Sequence, residues 1–265
     1  MTLQEYFEQH NKVAIAFSGG VDSAYLLYMA GKCASKTTAY YVKSQFQPAF
    51  EYDDAMRLAS SVGVNMRVIE LDVLADSDIA SNPANRCYYC KKRIMSAIFN
   101  AASSDGYTLV VDGTNASDDV DDRPGFRALK ELHIESPLRL CGLTKEVIRK
   151  CSYEAGLFTW NKPSYACLAT RIETDVTITA SDLARTEWAE NYLFSLGFRD
   201  FRVRLRDGSA LVQIREDDME LYKNNSSAIE EKLGREYTSV KLDGVSRVCH
   251  GDVSPQSLLL TKEYE

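Results

Sequence analysis

The sequence predicts an α/β fold, a parallel sheet with helices on both faces, joined to a second, smaller α+β domain. Two observations carry this: strand-like apolar runs alternate with helical stretches through the first half, and past residue 172 the order changes to helix, two strands, helix and strand. Strands separated by crossover helices pair in parallel, and ligands of such sheets sit at the strands' carboxyl ends.

The elements follow in order. Residues 12–17 read as a buried strand and 22–32 as a helix with one apolar face. Strands at 38–43, 65–71 and 107–112 are separated by helices near 50–62 and 91–102. Thr144 opens another helix as its N-cap, with Val147 and Ile148 facing inward and Gly156 just past its end. The first domain is expected over 1–172. The second, over 173–265, carries helices near 180–195 and 217–232 and strands near 200–206, 210–215 and 236–242.

Composition narrows the function classes. The 265 residues are 45% hydrophobic, enough for a sizeable core. With 38 acidic against 31 basic side chains the net charge is −7, which weighs against a nucleic-acid partner. No apolar run reaches the roughly 18 residues of a membrane span. The start, Met1-Thr2-Leu3-Gln4, has no basic and apolar leader pattern, so the expected location is cytoplasmic, and the seven cysteines are expected to remain thiols or metal ligands.

The first strand runs into Ser18-Gly19-Gly20-Val21-Asp22-Ser23 and then a helix. Glycines let backbone N–H groups approach an anion, serine hydroxyls add donors, and the helix N-terminus adds a favourable dipole. Asp22 reads as an N-cap or as a carboxylate holding Mg2+ against phosphates. A well-capped βα turn is the plainer explanation; six consecutive residues in this context outweigh it. The motif resembles the signature of the PP-loop ATP pyrophosphatases, which split ATP between its α and β phosphates and adenylylate an oxygen. That resemblance implies adenine near Val42 to Ser44, and Gly113-Thr114 bordering the nucleotide.

Cys87-Tyr88-Tyr89-Cys90 reads as lying in a loop ahead of a helix, flanked by Arg86, Lys91, Lys92 and Arg93. Two thiolates at this spacing can share a metal, but chance or buried thiols fit equally well, and a redox pair is a further alternative. Cys167 lies in Lys162-Pro163-Ser164-Tyr165-Ala166-Cys167, a shaped loop where Arg171 is placed to stabilise a thiolate; a structural cysteine is the alternative. In 201–206 apolar and basic residues alternate, so Arg202, Arg204 and Arg206 share one strand face, an anion site or a solvated face.

Taken in order, the glycine loop, Asp112 to Asp119, Arg123 to Ala128, Ser136-Pro137-Leu138 and the cysteine loop resemble the LarE-type sulfur transferases over nearly the whole chain. The resemblance implies adenylylation of the carboxylates of pyridinium-3,5-biscarboxylate mononucleotide and their conversion to thiocarboxylates. It implies ATP and Mg2+ held by Ser18, Gly19, Gly20, Asp22 and Ser23, with Arg123 and Arg127 nearby and Lys91 in catalysis. It implies substrate phosphate on Arg202, Arg204 and Asp243; with Cys87, Cys90 and Cys167 all present, it favours the branch that holds a 4Fe-4S cluster on these three over the branch with a sacrificial Cys167, with zinc as the chemical competitor. Homo-oligomers, up to hexamers, also belong to this expectation. Two rivals stand beside it: a tRNA-thiolating relative, and a nucleotide- or metal-binding regulator without turnover. The chain departs from the family's usual aromatic at Asp122, and from its usual Arg and Glu in Leu211 to Ile214.

Overall fold

The computed structural model describes residues 1–119 and 124–244. Small and β-branched residues make β1 (Lys12–Ala16) a central strand, and Val13, Ala14 and Ile15 are fully buried between helices on both faces. It pairs in parallel with β2 (Lys36–Lys43) on one side and β4 (Val110–Asp112) on the other, and β3 (Asn65–Glu70) extends the sheet beyond β2. The order β3-β2-β1-β4 reverses direction between β1 and β4, and such a reversal opens a crevice at the strands' carboxyl ends.

On one face α1 (Leu3–Gln9), α2 (Val21–Cys33), α3 (Ala49–Ser61) and the later α8 (Lys145–Glu154) cover Val13 and Ile15. The other face, with Ala14, Ala16, Tyr40 and Val42, is covered by α5 (Arg86–Ser104) and α6 (Pro124–Glu131). Short turns α4 (Ser77–Ala80) and α7 (Pro137–Leu140) complete this half. Full burial of a side chain such as Ile15 stabilises by about 1.5–3 kcal/mol.

Two local expectations need correction. α5 begins at Arg86 rather than near 91, so Cys87 and Cys90 lie on its first turns and not in a loop. Only Ile148 of the adjacent apolar pair on α8 faces inward; Val147, about 100° further round the helix, is 44% exposed.

The second sheet packs α9 (Ala180–Ser195) and α10 (Met219–Leu233) around Leu193, Phe201, Val203 and Val212. β5 (Arg202–Arg206) and β6 (Ser209–Gln213) form an antiparallel hairpin, and β7 (Val240–Leu242) joins β6 in parallel. The hairpin turns at Asp207 and Gly208, with φ of 47° and 76°, the left-handed pair a two-residue hairpin requires. Between the sheets a fourth cluster joins Phe46, Val73 and Ile79 to Leu168, Ala169 and Ile172 at the end of the cysteine loop. Among the described residues, no helix is long and apolar enough to cross a membrane.

Candidate active site

The glycine turn is closed by its own side chains. Ser23 Oγ donates to Gly20 O at 3.1 Å and accepts from Ser18 N at 3.3 Å, while the two serine hydroxyls lie 3.1 Å apart. Gly19 has φ 75°, a conformation natural to glycine, and Gly20 occupies the N-cap of α2 with no side-chain cap. That makes Asp22 a first-turn residue instead of the cap. Its Oδ2 accepts from Lys145 Nζ at 2.6 Å, whereas the buried Oδ1 has no protein partner. Burial raises the Asp22 pKa above the ordinary carboxylate range against the pull of Lys145. An unsatisfied carboxylate oxygen beside an anion-binding turn fits the coordination of Mg2+.

The turn opens on a cavity of about 560 Å3 at the switch between β1 and β4, lined by Ser18, Gly20, Asp22, Ser23, Val42, Lys91, Gly113 and Thr114 among others. Gly113 is required here: a Cβ on it would lie 2.8 Å from Ser23 N. Asp112 is buried and fixed by Thr114 Oγ1 at 2.8 Å and Ser136 Oγ at 2.7 Å, and Lys91 Nζ stands 3.7 Å from its Oδ2. Ser44 does not line this cavity; its hydroxyl donates to Gln47 Oε1 at 2.6 Å, and Gln47 is the lining residue. Arg127 points elsewhere, with its guanidinium 3.9 Å from the Tyr88 ring centroid and 3.3 Å from Glu131. Arg123 lies outside the described residues.

Cys87 belongs to the wall of this cavity, and Cys167 to an adjoining one of about 280 Å3 that shares Ser18, Gly20 and Asp22 with it. Arg86 Nη2 stands between these thiols, 3.7 Å from Cys87 Sγ and 4.0 Å from Cys167 Sγ. Burial, with the Cys167 thiol close by, pushes the Cys90 thiol up to about 12 against the pull of Arg86. Burial raises Cys167 as well, again opposed by Arg86. Among the described residues, no group of three His, Cys, Asp or Glu side chains is close enough to hold a metal ion. Two of the three thiols, those of Cys87 and Cys167, thus flank one guanidinium, a cation able to donate to a sulfur-bound anion.

Arginines hold the cysteine loop by its backbone. Arg149 donates to Trp160 O and Lys162 O, Arg202 to Ser164 O, Arg171 to Ala166 O and Cys167 O, Arg86 to Ala169 O, Arg204 to Thr170 O, and Arg206 to Arg171 O. Arg171, fully buried, also forms a fork on Glu190 at 2.7 and 3.0 Å, so its charge serves α9 and the loop backbone more than the Cys167 thiolate. Arg202 is 5% exposed and spent on Ser164 O and Phe201 O, a loop anchor and not an open phosphate site. Arg204 and Arg206, with Arg86 and Cys87, line a third cavity of about 460 Å3. Asp243 stands outside that lining and accepts from Gln213, which in turn accepts from Arg204 Nε.

Sequence reasoning missed Lys145, Lys162 and Gln47. One signal was available: a lysine at the first position of a helix opposes the helix dipole, and Lys145 is such a residue. Lys162 pairs with Glu51 and Asp54 at 2.9 Å each, contacts visible only once α3 and the cysteine loop meet.

No family model matches the chain. It is 32% identical over 248 residues to the pyridinium-3,5-bisthiocarboxylic acid mononucleotide synthase of Lactiplantibacillus plantarum, covering 92% of this chain and 90% of that protein. An uncharacterised Synechocystis protein is 32% identical over 251 residues, 91% of this chain and 92% of its own. A tRNA-specific 2-thiouridylase of Fervidobacterium nodosum is 26% identical over 126 residues, 38% of this chain and 36% of its own. Identity at the first level, held over nine-tenths of both chains, means that this chain belongs to the LarE family of ATP-using, PP-loop sulfur transferases.

Proposed function

We propose that the chain adenylylates the carboxylates of pyridinium-3,5-biscarboxylate mononucleotide with ATP and converts them to thiocarboxylates. The observation that carries this reading is the shared wall: the glycine turn's Ser18, Gly20 and Asp22 border the cavity that Cys167 lines, and Cys87 borders the nucleotide-sized one. ATP lies with its base toward Val42 and its triphosphate on Ser18 to Ser23, where the free Oδ1 of Asp22 would hold Mg2+ to screen the phosphates. A substrate carboxylate oxygen attacks the α-phosphorus and the bond to the bridging oxygen breaks, so pyrophosphate leaves; Lys91 faces the developing charge. The acyl-adenylate then accepts sulfur at its carbonyl carbon and AMP departs with the oxygen.

The sulfur centre is Cys87, Cys90 and Cys167, which would hold a 4Fe-4S cluster. When bound, that cluster supplies an exchangeable sulfur and spares Cys167. Arg86 donates toward the sulfurs and holds the loop carbonyl at Ala169. Arg204 and Arg206 receive the substrate's phosphate from the third cavity. Residues 1–172 form the nucleotide domain and 173–265 the substrate domain of a cytoplasmic homo-oligomer.

The test is pyrophosphate release with the dicarboxylated pyridine nucleotide as acceptor and tRNA as the competing acceptor. Release with the mononucleotide supports the assignment. Release only with tRNA, or none with either, overturns it. Iron and sulfide analysis of anaerobically purified protein, with the mass of Cys167 after turnover, separates cluster from sacrificed side chain.

A further inference from the structure

α8 touches both halves of the site. Its first residue, Lys145, donates to Asp22 Oδ2 at 2.6 Å. One turn later Arg149 donates to Trp160 O at 2.7 Å and to Lys162 O at 3.0 Å. Residues four apart share a helix face, so one face of one helix grips the glycine turn and the stem of the cysteine loop. Helix stability explains neither residue. A lysine in the first turn opposes the dipole, and Arg149 is 4% exposed, a burial that calls for partners.

We propose that α8 couples occupancy of the glycine turn to the placement of Cys167, with Lys145 and Arg149 as positioning residues. The inference rests on the reading that ATP occupies that turn. Asp22 has one oxygen on Lys145 and the other without a protein partner, so charge arriving beside Asp22 alters the hold on Lys145. A ten-residue helix passes that change to Arg149 as a rigid element. Arg149 in turn fixes carbonyls seven and five residues ahead of Cys167, and Lys162 is tied separately to Glu51 and Asp54 of α3. Linkage makes the effect reciprocal: fixing the loop must alter nucleotide affinity by the same factor.

The chain has two tryptophans, Trp160 in the loop stem and Trp188 on α9. Trp160 packs against Tyr153 of α8 with ring centroids 5.0 Å apart, so Trp188→Phe leaves it as the sole reporter. The experiment titrates this protein with α,β-methylene-ATP and Mg2+, reading Trp160 emission, amide exchange over 160–167 and binding by calorimetry. Nucleotide binding is expected to shift the emission and slow exchange about tenfold. With Lys145→Met or Arg149→Gln the nucleotide still binds, and the slowing falls below about twofold; Arg149→Lys restores an intermediate response. Should Arg149→Gln fail to fold, Lys145→Met, at a side chain 28% exposed, carries the comparison. Bound nucleotide with an unmoved loop in the parent, or an undiminished response in both variants, overturns the coupling alone. No nucleotide binding at all overturns the coupling and the proposed function together.

Discussion

The glycine turn is assembled from neighbours in the chain: Ser18 and Ser23 bond across five residues, and Gly20 receives the serine hydroxyl. The cysteine loop draws its partners from α5, α8, β5 and its own Arg171, none of them adjacent to the carbonyls they hold apart from Arg171. A locally closed turn fails when one of its own atoms is crowded. A loop held from a distance fails when a remote charge is removed, because the buried partner is left uncompensated.

The largest effect expected from this contrast is on the loop. Glu190→Ala removes the fork on fully buried Arg171, and also the acceptor for Tyr165 Oη and Val203 N, so a loss of about 3–5 kcal/mol is expected in urea unfolding. A loss under about 1 kcal/mol would break the comparison. Gly113→Ala tests the turn, where the added methyl meets Ser23 N and Cα at 2.8 and 3.0 Å; about 1–3 kcal/mol of stability and most nucleotide binding should go. Arg204→Lys replaces a planar fork between Gln213 and Thr170 O, and should weaken the mononucleotide about tenfold in KM with little change in kcat.

The smallest effect concerns pH. Burial raises Asp22 above its unfolded pKa, so below the free carboxylate range both states are protonated and nothing is lost. As pH rises through the folded value, the buried charge costs stability. Asp22→Asn should therefore melt slightly higher than the parent at pH 7 and equally near pH 3, while losing pyrophosphate release. A parent that melts higher at neutral pH would show that Lys145 outweighs burial.

The same contrast explains what was legible. Ser18 to Ser23, the parallel sheet and Gly113 could be read because their partners lie within one βα unit or follow from strand order. The start of α5 was misplaced because Arg86 to Cys90 shows little apolar periodicity, although Asn85 stands at its cap. The face shared by Arg202, Arg204 and Arg206 was legible from alternation, but not that the cysteine loop covers Arg202; no local pattern encodes which segment crosses a strand. Arg127 looked like a nucleotide ligand and instead stacks on Tyr88, an encounter between two helices.

Cys87 lines both the 560 Å3 cavity and the 460 Å3 one bordered by Arg204 and Arg206. A sulfur set in a partition of this kind is reachable from two chambers, so the molecules that meet there need no common doorway. Neither has to queue behind the other, and steady-state kinetics should show no obligatory order of arrival.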